Sequence, residues 1–294
     1  MAKIAYYIFY AFAWLVSLMP FWLMYRLSDF LFFLLYYVTG YRKEVTRQNL
    51  RNSFPDKDEK WIHNTSRKFY RNLADIILED IKVLTISQKN LAKHYRYVNT
   101  GVLEKIAAEG KSIILALGHC ANWEWMGNTL APLYPQHKAY AIVKPLTNKD
   151  FDGFMNGLRN RYIKDSIIYM KDTLRVMAKN KDRVCIYAFA ADQTPSNPKT
   201  SYWATFMNQD TAFYTGMEKL ARTLDVAVIF LDLYREKRGH YVGELTLMTD
   251  TPKATAEHEI TDDYIKRLEA SIRERPDNWL WSHRRWKHKR ENTN

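Results

Sequence analysis

The sequence predicts an α/β fold with a mostly parallel central sheet flanked by helices, preceded by a hydrophobic N-terminal helix. Three observations lead there. Apolar runs at 112–117, 184–190 and 226–233, the last interrupted only by Asp232, have the texture of strands buried on both faces. Helix-like stretches separate these runs, and strands alternating with helices assemble into a parallel sheet covered on its faces. Ahead of them, fourteen aromatics fall between Tyr6 and Tyr37, while residues 4–40 hold only two charges, Arg26 and Asp29.

In chain order, the first element is the uncharged run of 22 residues from Ile4 to Tyr25. About 20 apolar residues cross a bilayer as a helix. The run is too long for a signal peptide, and no small-residue cleavage site follows it. A buried core helix is the bland alternative. Against it stand the Tyr and Trp content, which suits a membrane interface, and the basic cluster Arg42, Lys43 and Arg47 just beyond. That cluster outweighs Lys3, so the positive-inside rule places the rest of the chain in the cytoplasm. Residues 1–40 are therefore expected to anchor the protein, spanning the bilayer or lying in its interface with a kink at Pro20. Residues 41–294 are expected to form one catalytic domain, since neither a repeat nor a low-complexity linker divides them.

From 41 to about 99 the pattern is helical. Phe54-Pro55-Asp56 interrupts it, and from 61 to 84 the apolar residues Phe69, Leu73, Ile76, Ile77 and Ile81 recur at helical spacing. The bulk composition, 47% hydrophobic and 26% charged, is that of a folded chain and argues against wholesale disorder. A formal net charge of +12 draws the surface to nucleic acid, acidic lipid or an acidic carrier protein without choosing among them. Cys120 and Cys185 are too few for a disulfide framework and suit a reducing compartment.

Chemistry concentrates beyond the strands, because ligands in such folds bind outside the carboxyl ends of the sheet. After the first buried run comes Gly118-His119-Cys120-Ala121-Asn122-Trp123-Glu124. With His119 in the turn and Glu124 in the first turns of a helix, the carboxylate can reach back to one imidazole nitrogen, leaving the other to take a proton from an alcohol. Taken in isolation, a His-x4-Glu pattern is more often a satisfied histidine beside a solvated glutamate. After the second run comes Asp192-Gln193, an acid and an amide that point into the same crevice or merely cap a loop. Arg159 and Arg161 are able to clamp a phosphate or carboxylate, though a solvated face is the commoner fate of such residues. The tail, 276–287, interleaves Trp279, Trp281 and Trp286 with Arg284, Arg285 and Lys287. That pattern fits single-stranded nucleic acid or an anionic membrane surface. The N-terminal anchor favours the membrane, and no nucleic-acid partner is expected.

Other chemistries lack their signatures. The sequence has no Gly-x-Ser-x-Gly elbow, no His-Glu-x-x-His helix, no phosphate-binding P-loop and no dinucleotide fingerprint. Cys120 as nucleophile, and a metal site from His119, Cys120 and Glu124, are both poor readings, because adjacent side chains rarely face one another.

With these blocks in order, the chain resembles the bacterial lipid A biosynthesis acyltransferases, the late lauroyl and myristoyl transferases of the lysophospholipid acyltransferase superfamily. The similarity runs from the apolar N-terminus to Lys287. Gly118-His119 to Glu124 resembles the family's His-x4-Asp/Glu motif in its glutamate form. Asp192-Gln193 matches a strand-end pair, and Arg159 falls where members carry an arginine. The string Trp279-Leu280-Trp281-Ser282-His283-Arg284-Arg285-Trp286 is the most specific match. Residues 213–221 resemble a family helix, expected to begin near Thr211. One departure is Phe206-Met207-Asn208, where members usually show Phe-Gly.

The resemblance implies acyl transfer from an acyl carrier protein thioester, or coenzyme A, to a hydroxyl of a lipid A precursor at the cytoplasmic face of the bacterial inner membrane. A related acyltransferase acting on another lipid, and a non-catalytic membrane or nucleic-acid binder, are the rivals. His119 and Glu124 would be catalytic, and Asn122, Arg159, Arg161, Asp192 and Gln193 would contact substrate. Trp279, Trp281, Arg284 and Arg285 would meet membrane or acceptor. Neither a metal nor a cofactor is expected, and the partners would be the carrier protein, an anionic lipid acceptor and the bilayer.

Overall fold

The structure is a computed structural model that describes residues 2–290. Two apolar helices come first, α1 (Ala2–Leu18) and α2 (Phe21–Phe33), the second continuing as a π-helical turn over Leu34–Val38. Next are α3 (Lys43–Ser53), α4 (Glu59–Lys82), α5 (Gln88–Ala92), β1 (Tyr95–Val98) and α6 (Gly101–Ala108). The central part is β2 (Ile113–Leu117), α7 (Trp123–Leu130), β3 (Lys138–Val143), α8 (Lys149–Arg159), β4 (Ile167–Tyr169), α9 (Thr173–Lys179) and β5 (Cys185–Ala190). A small hairpin, β6 (Tyr202–Phe206) and β7 (Gln209–Phe213), precedes α10 (Gly216–Leu224), β8 (Ala227–Lys237), β9 (His240–Thr249) and α11 (Glu259–Glu274).

The three apolar runs become β2, β5 and β8, and all five residues of β2 are buried. The seven-stranded sheet has the order β1-β9-β8-β2-β5-β3-β4. Every pairing is parallel except that between β8 and β9. β2 thus lies between β5 and β8, and its register sets Leu117 opposite Ala190. His119 and Asp192, each two residues past that pair, are brought side by side by the sheet itself.

The 22-residue uncharged run is not one helix. It breaks between α1 and α2, because Pro20 has no N–H to continue the ladder. The carbonyls this frees are taken by α4 and the turn after it: Lys82 Nζ donates to Ser17 and Met19 oxygens at 2.7 and 2.6 Å, and Thr85 Oγ1 to Ser17 at 2.6 Å. Among the described residues the helix long and apolar enough to cross a membrane is instead Phe21–Val38, 18 residues, about 27 Å at the helical rise. One face of α2 (Met24, Ser28 and Phe32) is buried. It is tied to α4 by Ser28 Oγ to Asp75 at 2.5 Å and Tyr25 Oη to Glu79 at 2.9 Å. The 24-residue α4 starts where Asp58 accepts the Trp61 amide at 2.7 Å, an N-cap just beyond the Phe54-Pro55-Asp56 break.

The helix expected near Thr211 begins later, at Gly216, because 209–213 is β7. Met207 (φ 51°) and Asn208 (φ 62°) form the two-residue turn of the β6–β7 hairpin, both left-handed. Glycine adopts that conformation without cost. Here Met207 is fully buried and its amide donates to Glu269 Oε2 at 2.8 Å, so side-chain packing and a carboxylate hold a turn that sequence chemistry disfavours.

Candidate active site

His119 and Asp192 meet where the register places them. His119 Nδ1 lies 2.5 Å from Asp192 Oδ1, and the His119 backbone N–H donates to Asp192 Oδ2 at 2.9 Å. The His119 side chain is 17% exposed and that of Asp192 only 2%, so the carboxylate is enclosed while the ring reaches the surface. His119 Nε2 sits 3.1 Å from Gln193 Nε2. An ionised carboxylate on one side and an amide N–H on the other fix the tautomer: Nδ1 carries the proton and Nε2 is the lone-pair nitrogen. Burial of Asp192 opposes its charge, but His119, by charge and hydrogen bonds, and Trp279 outweigh this and bring its pKa down to about 2. For His119 burial again works against the charged form. The Asp192 carboxylate, with a smaller contribution from Glu124, overcomes that and the opposing Arg159, and raises the pKa above its ordinary 6.5.

The tail completes the site. Residues 278–280 run antiparallel to the His119 loop, pairing Cys120 with Trp279. Ala121 N–H donates to the Asn278 carbonyl at 2.9 Å and Leu280 N–H to the His119 carbonyl at 3.1 Å. Trp279 Nε1 donates to Asp192 Oδ2 at 2.7 Å. The carboxylate thereby has three donors, and the strap fixes the backbone on both sides of the imidazole. Thr194 N–H donates to His283 Nε2 at 3.1 Å. Burial lowers the His283 pKa to about 4, which keeps that nitrogen an acceptor at neutral pH.

Trp279, Trp281 and Arg285 are 2%, 0% and 1% exposed, so they do not meet membrane or acceptor. Trp279 and Trp281 pack edge-to-face with centroids 4.7 Å apart. The Arg285 guanidinium lies 4.5 Å from the Phe213 ring centroid and donates to the Ala212 carbonyl at 2.7 Å. A basic aromatic string reads as a surface by composition, yet here it folds under the site as core. Only Arg284 of the four is exposed.

Glu124 does not orient His119. It lies in the first turn of α7 and takes Arg159, at the end of α8, in a two-pronged pair of 2.7 Å to Nε and 2.5 Å to Nη2. Both side chains are mostly enclosed, at 13% and 21% exposure. Asp80 belongs to the same electrostatic group: burial, with the charge of Glu124 next, pushes its pKa well up. Asn122, expected to contact substrate, is wholly buried and engaged as the N-cap of α7, accepting the Trp125 amide at 2.9 Å. Its own amide donates to Glu79 Oε2 at 2.8 Å. Arg161 is exposed and lies over its neighbour Tyr162, 5.5 Å from the ring centroid, and is not part of the His119 group.

Glu79 is the residue that sequence reading passed over. It is fully buried and receives Tyr25, Asn122 and Tyr241, while its backbone carbonyl accepts Trp125 Nε1 at 2.8 Å. Burial raises its pKa. The signal was available, because Ile76 and Glu79 are three apart on the buried stripe of α4. Glu79 thus links α2, α4, β9 and the start of α7. Cys120 is buried and its thiol pKa is pushed well above the ordinary value by burial and then by Asp192, which suits packing rather than nucleophilic chemistry. Among the described residues no three His, Cys, Asp or Glu side chains are placed to hold a metal ion.

A mostly parallel α/β sheet carrying a histidine–carboxylate pair beyond its central strands offers a candidate enzyme site at the sheet's carboxyl edge. Residues 1–288 match the model of the bacterial lipid A biosynthesis acyltransferase family, and the chain belongs to that family. It is therefore an acyltransferase with lipid substrates. No curated protein matches it.

Proposed function

We propose that the chain transfers a fatty acyl group from an acyl carrier protein thioester to a hydroxyl of a lipid A precursor, with His119 as general base held by Asp192. The observation that carries this reading is the buried Asp192 on Nδ1, which leaves Nε2, accepting from Gln193, as the lone-pair nitrogen of the ring. The acceptor hydroxyl takes the place of the Gln193 amide at Nε2 and gives up its proton there. Its oxygen attacks the thioester carbonyl carbon, forming the C–O bond and an oxyanion. Collapse breaks the C–S bond, and the departing thiolate takes the proton back from His119. The amides of Trp123 and Glu124 open α7 and have no intrahelical acceptor, since Asn122 caps Trp125 instead. They are the donors for the oxyanion. Glu124 serves this chemistry by fixing the Arg159 guanidinium near the site, where a charged acceptor group can meet it.

The location at the cytoplasmic side of the inner membrane rests on Phe21–Val38 and the basic Arg42, Lys43 and Arg47 that follow it. Tyr7, Ile8, Leu15 and Trp22 are each more than half exposed. Burying an apolar side chain is worth ~1.5–3 kcal/mol. Replacing all four by serine is expected to leave the melting temperature nearly unchanged while moving the protein from membranes to the soluble fraction on sedimentation. Unchanged sedimentation would remove these side chains, three on α1 and Trp22 on α2, from the membrane contact.

The reaction is tested with radiolabelled acyl donors on carrier protein and on coenzyme A, offering a tetra-acylated, Kdo-bearing lipid A precursor and a lysophospholipid. Label on the precursor, from the carrier protein donor, is the expected result. Label on the lysophospholipid alone would move the acceptor assignment to that lipid, and no transfer to either would overturn the reading.

A further inference from the structure

We propose a second binding site, for a small phosphorylated anion, at the end of the sheet remote from His119. A cavity of about 530 Å³ opens beside the amino ends of β3 and β5. A volume of roughly 300–1,000 Å³ is what small-molecule sites usually offer. Its cations are Lys138 at the entry to β3, Lys164 after α8, and Arg183 just before β5, with the His137 side chain beside Lys138; no Asp or Glu lines it. The partners these cations have are neutral oxygens. Lys138 Nζ donates to the Lys164 carbonyl, and Arg183 donates to Asn180 Oδ1 at 3.0 Å and to the Tyr140 hydroxyl at 3.1 Å. Gln88, Gln136 and Tyr162 add polar side chains to the wall.

Lysines and an arginine around a shared volume, with no carboxylate among them, leave positive charge that a bound anion balances. A phosphate or diphosphate supplies two or more negative charges and several acceptor oxygens, and so meets separated ammonium and guanidinium groups at once. The site is distinct from the acyl-transfer centre. Arg183 precedes β5 and Asp192 follows it, and the six residues between their ends, Cys185–Ala190, span about 20 Å at the rise of an extended strand. The inference is independent of which lipid accepts the acyl group.

The test is calorimetric titration of the full chain in detergent at low ionic strength, with inorganic pyrophosphate and dihexanoyl phosphatidic acid as separate probes. One or both bind, and Lys138→Glu and Lys164→Glu each weaken that binding by about 10-fold or more, a factor equal to ~1.4 kcal/mol. Lys164 is exposed, so its reversal keeps the fold even if that of Lys138 does not. His119→Ala binds as the wild type does. Binding of pyrophosphate assigns the site to a soluble phosphate, and binding of the lipid probe alone assigns it to a headgroup. Failure of both probes to bind, indifference to the Lys164 reversal, or loss of binding in His119→Ala would overturn the proposal.

Discussion

His119→Ala is expected to lower acyl transfer ~10³-fold, within the range that a positioned general base contributes, and to cost about 1–3 kcal/mol of stability because Asp192 loses one of its donors. The backbone bonds of residue 119, its N–H to Asp192 and its carbonyl from Leu280, do not depend on the ring, so the strap survives. What goes is Nε2. The pH profile of the wild type checks the same group. A base works only when deprotonated, so the rate falls as pH drops through the His119 pKa, and Asp192 sets that limb above 6.5. Transfer within 10-fold of wild type in the alanine variant, measured with the labelled donor, would release His119 from the role.

Trp279→Ala is expected to cost about 4 kcal/mol of stability, typical of an enclosed Trp-to-Ala change, or ~10 °C of melting temperature for a chain of this size, together with most of the activity. The indole is 2% exposed and packs edge-to-face with Phe206, Trp281 and Trp286, so its removal leaves a large cavity. It also strips one donor from Asp192 Oδ2, in a place where water has little access. Trp279→Phe retains most of the volume and loses the N–H, and should lie between the two. Were Trp279 a membrane contact, thermal melting would be unchanged and sedimentation with membranes would fall; that pattern would refute its place beneath the site.

The sheet was legible in the sequence where it is buried on both faces. β2, β5 and the first five residues of β8 are continuous apolar runs, a pattern that solvent-exposed strands do not show. β4 is the edge strand and β3 lies next to it, both only partly buried, so their patterns are mixed and do not announce strands. β9 pairs antiparallel with β8, a choice that depends on a hairpin turn at Gly239 rather than on any apolar run. His119 and Asp192 were visible as strand-end residues, but their pairing was not. It follows from the register of Leu117 with Ala190 across a parallel sheet, and spacing along the chain carries no trace of that. Local spacing pointed to Glu124 instead, five residues away, and the structure gives Glu124 to Arg159. The tail misled for a similar reason: aromatic and basic residues alternate alike on a membrane surface and in a strap buried against the sheet.

The most direct test of the central claim, that Asp192 rather than Glu124 governs His119, compares Asp192→Asn with Glu124→Gln in transfer rate against pH. In Asp192→Asn the amide oxygen stays with the His119 N–H and Trp279 Nε1, the two donors at Oδ2. The NH₂ then faces Nδ1, driving the ring proton to Nε2, where a base is needed. A loss of ~10²-fold or more, with the acidic limb shifted to lower pH, is expected. Glu124→Gln retains a neutral partner for Arg159 and is expected to lose less than ~10-fold, with the limb nearly in place. A larger loss and a displaced limb in Glu124→Gln, beside an Asp192→Asn variant near wild type, would contradict the assignment.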